Sequence, residues 1–161
     1  MARKPYQQRT DIEKIHSQWH KLSGLHTREE WSAAVVRAAT AAEIAANLAI
    51  RAEFSEQSKL SSKFIDSQLK WANGLSGKID HLMAPLWQYQ PAKRKGLNSL
   101  RRLAKAITLR RNAIVHQGEF CNAIEATDII EKAENFIIDL VRIYHSNFVL
   151  LDKGADSQER S

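Results

Sequence analysis

The sequence predicts an all-α fold of about five to six helices, and three observations lead there. Apolar residues recur at spacings of three and four along nearly the whole chain, no stretch shows the sustained alternation of a strand, and only six Gly and three Pro interrupt 161 residues. A chain of this length falls within the range of one domain and buries roughly two-thirds of the surface its unfolded form exposes. The reading divides it into a flexible basic N-terminus, residues 1–9, a helical domain, residues 10–150, and a polar tail, residues 151–161, expected to be disordered.

The first helix carries Ile12, Ile15, Trp19 and Leu22 on one face, opens after Thr10 or Asp11 and closes at Gly24. Thr27 and Glu30 read as a capping box that starts a long Ala-rich helix from about Arg28 to Phe54. A helix apolar nearly all round is a buried one, so it is expected at the centre of the bundle or at a subunit interface. Its polar exceptions, Thr40, Glu43, Asn47 and Arg51, follow one another at three and four and form a single stripe. That stripe is either a solvent-facing row or the surround of an active site. A third helix spans 58–73, and a shorter fourth one, interrupted at Pro85, spans Gly77–Gln88, with Trp71, Leu75, Leu82, Leu86 and Trp87 expected in the core. After a basic loop, 90–96, a fifth helix runs from about Leu97 to Val115, and Gly118 suits a left-handed cap beyond its end. Asn122 and Glu125 cap a sixth, whose Ile129, Ile130, Ala133, Phe136, Ile137, Leu140 and Tyr144 trace a core stripe.

Composition narrows the function classes. Cys121 is alone, so the chain holds neither an internal disulfide nor a thiol pair for zinc, and a reducing compartment, the cytoplasm, is expected. His16 and His20 are four apart, but no carboxylate or Cys nearby completes a ligand set, so no metal and no cofactor are expected. The basic N-terminus has no apolar run behind it, and Arg37 and Glu43 interrupt the most apolar stretch, Ser32 to Ile50, which argues against a membrane span. Lys and Arg number 24 against 18 Asp and Glu. Between Lys93 and Arg111 there are eight basic residues and no acidic one. Lys93, Arg94, Lys95, Arg101, Arg102, Lys105 and Arg110 thus form a candidate RNA-binding face, or else a solvated one.

On the fifth helix, turning about 100° per residue places Arg111 on the same face as Leu100, Leu103, Ile107 and Ile114. An arginine on an apolar stripe needs a carboxylate, a phosphate or a dimer cavity to point into. Glu43 and Asn47 are the expected acceptors. By the same arithmetic His116 lies about 140° away, on the side of Asn112, unless the helix unwinds near Val115 or the long Arg side chain curls around the helix end. A His near a helix terminus also has a plain structural use, capping carbonyls.

The run Leu109-Arg110-Arg111-Asn112-Ala113-Ile114-Val115-His116-Gln117-Gly118 resembles the signature of HEPN domains, an Arg, a polar residue after it, and a His four to six residues beyond. The motif lies at the end of a long penultimate helix and before a capped, apolar-striped last one. The resemblance in layout covers about residues 10–150, with specific matches only in this decapeptide. It implies an up-and-down helical bundle that dimerises so that two Arg/His motifs face one cleft, and many such domains are metal-independent endoribonucleases of toxin–antitoxin and phage-defence systems. His116 would then act as general acid or base, Arg111 would hold the scissile phosphate, Asn112 would orient either group, and 2′,3′-cyclic phosphate ends would result. RNA, a second copy of the chain and an antitoxin or other regulatory protein are the implied partners. Toxins of the family silenced by adenylylation carry a Tyr two positions after the His, where this chain has Gly118. The alternative to an enzyme is a non-catalytic helical module that binds RNA or a partner protein through the basic face 93–111.

Overall fold

The computed structural model describes residues 4–72 and 74–150, and among them every regular element is helical. The helices are α1 (Asp11–Thr27), α2 (Trp31–Gln57), α3 (Ser62–Trp71), α4 (Gly74–Lys78), α5 (Ala84–Leu86), α6 (Pro91–Arg94), α7 (Leu97–Gln117) and α8 (Ala123–Tyr144). A wide π-type turn, Ile79–Met83, joins α4 to α5, so the segment expected as one short helix broken at Pro85 is a run of three pieces. Within the expected basic loop Pro91–Arg94 make one helical turn, Pro leading because the first helical position needs no N–H donor.

Helix α2 is the axis. Its small side chains, Ala34, Ala38, Ala41, Ala42, Ala45, Ala46 and Ala49, are all fully buried, and they let α1, α7 and α8 approach its backbone closely. Side-chain bonds fix the directions: Arg37 of α2 donates to Gln18 of α1 while Arg51 reaches back to Asp11, so α1 and α2 are antiparallel. At the other side the Cys121 N–H donates to Ser32 Oγ at the start of α2, and Tyr144 bonds to Glu53 near its end, so α8 runs parallel to α2. The stripe read from α8 is the buried one: Ile129, Ala133, Phe136, Ile137 and Leu140 all lie inside. By composition and length α2 could cross a membrane, but here it is the buried core helix of a bundle. The apolar girth that suggested a subunit interface is therefore used within one chain.

Caps explain where helices begin, with one correction. Thr10 and Glu13 form a capping box at α1, and Asn122 and Glu125 form one at α8. Thr27 and Glu30 do not. Helix α1 passes Gly24 and ends at Thr27, whose hydroxyl donates back to Ser23 O, and the chain turns through Glu29 at φ 59° before α2 starts. Each half of the expected box is bound elsewhere, Glu30 to Arg28. Trp71 is a second correction: it lies at the end of α3, 80% exposed rather than in the core, because α3 buries Ile65 and Leu69 on its other face. Trp87 is fully buried as expected. In the stretch 1–9, Tyr6–Gln8 form a turn, the Tyr6 hydroxyl accepts from Gln18 and Arg9 donates to Ser17. The tail 151–161 lies outside the described residues.

Candidate functional site

Helix α7 stays helical through Gln117 and ends on Gly118 in the left-handed conformation, φ 67°, as a C-terminal cap requires. The backbone thus keeps Arg111 and His116 on different faces. The side chain of Arg111 closes the gap: its Nη1 donates to Asn112 Oδ1 at 3.2 Å and lies 3.3 Å from His116 Nε2. A guanidinium has only donors to offer, so a hydrogen bond here requires the tautomer in which Nε2 accepts and Nδ1 carries the proton. Nε2 is therefore a base in this geometry. Among the described residues Arg111 has no carboxylate partner, which leaves Nε and Nη2 available to fork onto an anion.

Above this trio opens a cleft of about 410 Å³, lined by Thr40 and Glu43 of α2, Gly74 and Leu75 of α4, and Ile107, Thr108, Arg111, Asn112 and His116 of α7. A cavity of this size suits a small ligand or one nucleotide. The polar stripe of α2 meets it only in part. Thr40 and Glu43 line it, whereas Asn47 and Arg51 line a neighbouring cavity of about 550 Å³. Nor does the stripe pair with itself: Thr40 bonds its own helix at Val36 O, Glu43 bonds Lys78 at 2.5 Å, and Arg51 bonds Asp11 and Asp66. Of the two acceptors expected for Arg111, Glu43 shares its cleft and Asn47 does not.

The basic face divides into two sets. Arg94, Lys95, Arg102 and Lys105 are exposed and carry no ion pair among the described residues. Arg101 pairs with Asp80, and Arg110 with Glu119, Glu125 and Phe120 O. Lys93 is engaged most deeply. Its ammonium lies 2.5 Å from Glu53, which is 1% exposed and also accepts from Trp87, Tyr144, Gln57 and Gln90. Burial alone would push the Glu53 carboxyl up, but the bonds donated by Lys93, Tyr144, Gln90 and Gln57 outweigh it and hold the pKa down at about 2. Burial and donation to this carboxylate push the Tyr144 phenol well above its ordinary value. Lys93, a candidate RNA contact in the sequence, is here bound to Glu53 and ties α6 to α2.

Sequence reasoning missed Glu53 and Lys78. Glu53 sits near the end of α2 on its buried side, where a carboxylate is rare unless paired, and that rarity was its one available signal. Lys78 gave none. Among the described residues no group of three His, Cys, Asp or Glu is placed to hold a metal ion. No protein family, no characterised protein and no solved structure matches this chain.

Proposed function

We propose that the chain is a HEPN-like, metal-independent RNA endonuclease, a toxin or defence effector working in the cytoplasm as a homodimer. The observation that carries the reading is the Arg111–His116–Asn112 cluster: a cation with no carboxylate partner among the described residues, bonded to an imidazole nitrogen, at the wall of a nucleotide-sized cleft. In the reaction Arg111 Nη1 releases His116 Nε2 as the guanidinium turns to the phosphate, the freed Nε2 takes the proton of a ribose 2′-hydroxyl, the 2′-oxygen bonds to phosphorus, and the bond from phosphorus to the 5′-oxygen breaks. Arg111 turns its free fork to the phosphate and stabilises the charge that develops there. The leaving oxygen needs a proton, and the His116 of a second copy facing the same cleft supplies it. Asn112 holds the Arg111 guanidinium meanwhile. Glu43 shares the cleft as the nearest anionic wall residue.

A binding module is the second reading, favoured by Arg94, Lys95, Arg102 and Lys105, which stand exposed without carboxylate partners among the described residues. Single-turnover cleavage of RNA in EDTA separates the two. The nuclease predicts cuts with 2′,3′-cyclic phosphate ends that vanish in His116→Ala and Arg111→Ala, His116→Ala losing about 10² to 10⁴ in rate while RNA affinity hardly changes. RNA that is bound yet stays intact under every condition tried decides for the binding module.

A further inference from the structure

Glu43 and Gly74 line both the Arg111 cleft and the cavity beside it, so the two share a wall. Two residues of the second cavity are left short of partners. Lys78 is only 4% exposed, and among the described residues its ammonium meets one acceptor, Glu43 Oε1. An ammonium carries three donors, and a buried cation with donors unmet is costly. Asn47 Oδ1 is likewise buried and, among the described residues, accepts no hydrogen bond. A ribose phosphate supplies what both lack, phosphate oxygens for the ammonium and a hydroxyl donor for the amide oxygen, which a turn of the Asn47 side chain would present.

The charges agree. Glu43 is held by Lys78 and Asp66 by Arg51, so both carboxylates of the cavity are matched. Arg51 also bonds Asp11, and Lys70, exposed and with no ion pair among the described residues, is the cation of the rim left without a carboxylate there. The geometry points to a second phosphate subsite here, in which Lys78 and Lys70 hold the backbone phosphate, and Asn47 the ribose, of a nucleotide next to the one at Arg111. It rests on the RNA reading for its ligand, and on no cleavage step.

Two probes test it. Inorganic phosphate titrated into the 15N-labelled 161-residue chain is expected to shift the amide signals of Asn47 and Lys70 saturably, in wild type and in Arg111→Ala alike, and less in Lys70→Ala. A 2′-O-methyl RNA, which cannot be cut, is expected to lose about one unit of salt slope in its binding to Lys70→Ala. Lys78→Met should do the same once thermal melting shows it folded, and the exposed Lys70 keeps the test valid if it does not fold. Phosphate shifts and a salt slope both indifferent to Lys70→Ala overturn the subsite, as do shifts reproduced by chloride, which mark an adventitious ion only. RNA bound in this Lys70-dependent way but never cut leaves the subsite standing and removes the nuclease reading.

Discussion

Arg111 Nη1 lies 3.3 Å from His116 Nε2 although four residues of unbroken helix separate them, because the arginine side chain is long enough to curl around the helix end. A lysine in its place would bring one compact charge and no planar fork. Arg111→Lys is therefore expected to behave like Arg111→Ala in single-turnover cleavage, both far below wild type. Cleavage near the wild-type rate in Arg111→Lys would show that charge alone suffices and that the fork has no role.

Glu53 gives the fold a defined acid limit. Its folded pKa of about 2 lies below the ordinary 4.5, so its contribution is full above pH 4.5 and is lost as the pH falls through that window to about 2. The difference corresponds to roughly 3 kcal/mol. Tyr144, raised in the fold, works in the opposite sense: its contribution is full below about pH 10 and is lost above it, where the unfolded phenol ionises. Urea denaturation across pH is expected to show both losses. Glu53→Gln should cost about 3–5 kcal/mol at neutral pH, since it strands Lys93 beside a neutral amide, and should flatten the acid limb. An acid limb unchanged in that variant would place the titrating group elsewhere.

The two sets of basic residues on α6 and α7 make different predictions for RNA binding. Arg102→Ala and Lys105→Ala should each lower the salt slope of binding by roughly one unit, with little change in thermal stability. Lys93→Ala should do the reverse, destabilising the fold through the orphaned Glu53 carboxylate. A salt titration beside a melting curve for the three variants checks this. A Lys93→Ala protein with wild-type stability would show that the Glu53 cluster does not anchor α6.

Dimerisation, required for a second His116 in the cleft, now rests on surface rather than on α2. Leu109, Val115, Phe120 and Ile124 are exposed apolar residues on α7, the connecting loop and the start of α8, and Phe120 is 91% exposed beside the Arg110 that binds its carbonyl. Such exposure close to the Arg/His motif fits a contact between copies. Light scattering coupled to size exclusion is expected to give twice the 18.3 kDa chain mass, and Phe120→Ser with Ile124→Ser to return it to one. A wild-type monomer at micromolar concentration would remove the composite cleft.

What the sequence determined by itself was whatever is encoded within one or two helical turns. The cap of α1 at Thr10, the box at Asn122–Glu125, the left-handed end at Gly118 and the core stripe of α8 depend on residues three or four apart, whereas the same local pattern at Thr27 and Glu30 misled, because the turn at Glu29 falls between them. The contact between Arg111 and His116 was left open by the helical spacing, which sets them about 140° apart; the curled arginine side chain on an unbroken helix closed it. Only the tertiary structure decided what the charged residues do. Lys93 reads as part of a basic face, yet it is drawn to a carboxylate 40 residues away, and Glu43 reads as part of a stripe, yet it is bound by Lys78 at a separation of 35. The bonds that Trp87 and Tyr144 give Glu53 span 34 and 91 residues. No helical period relates positions so far apart; burial creates the demand for a partner, and packing of the whole bundle selects which one meets it.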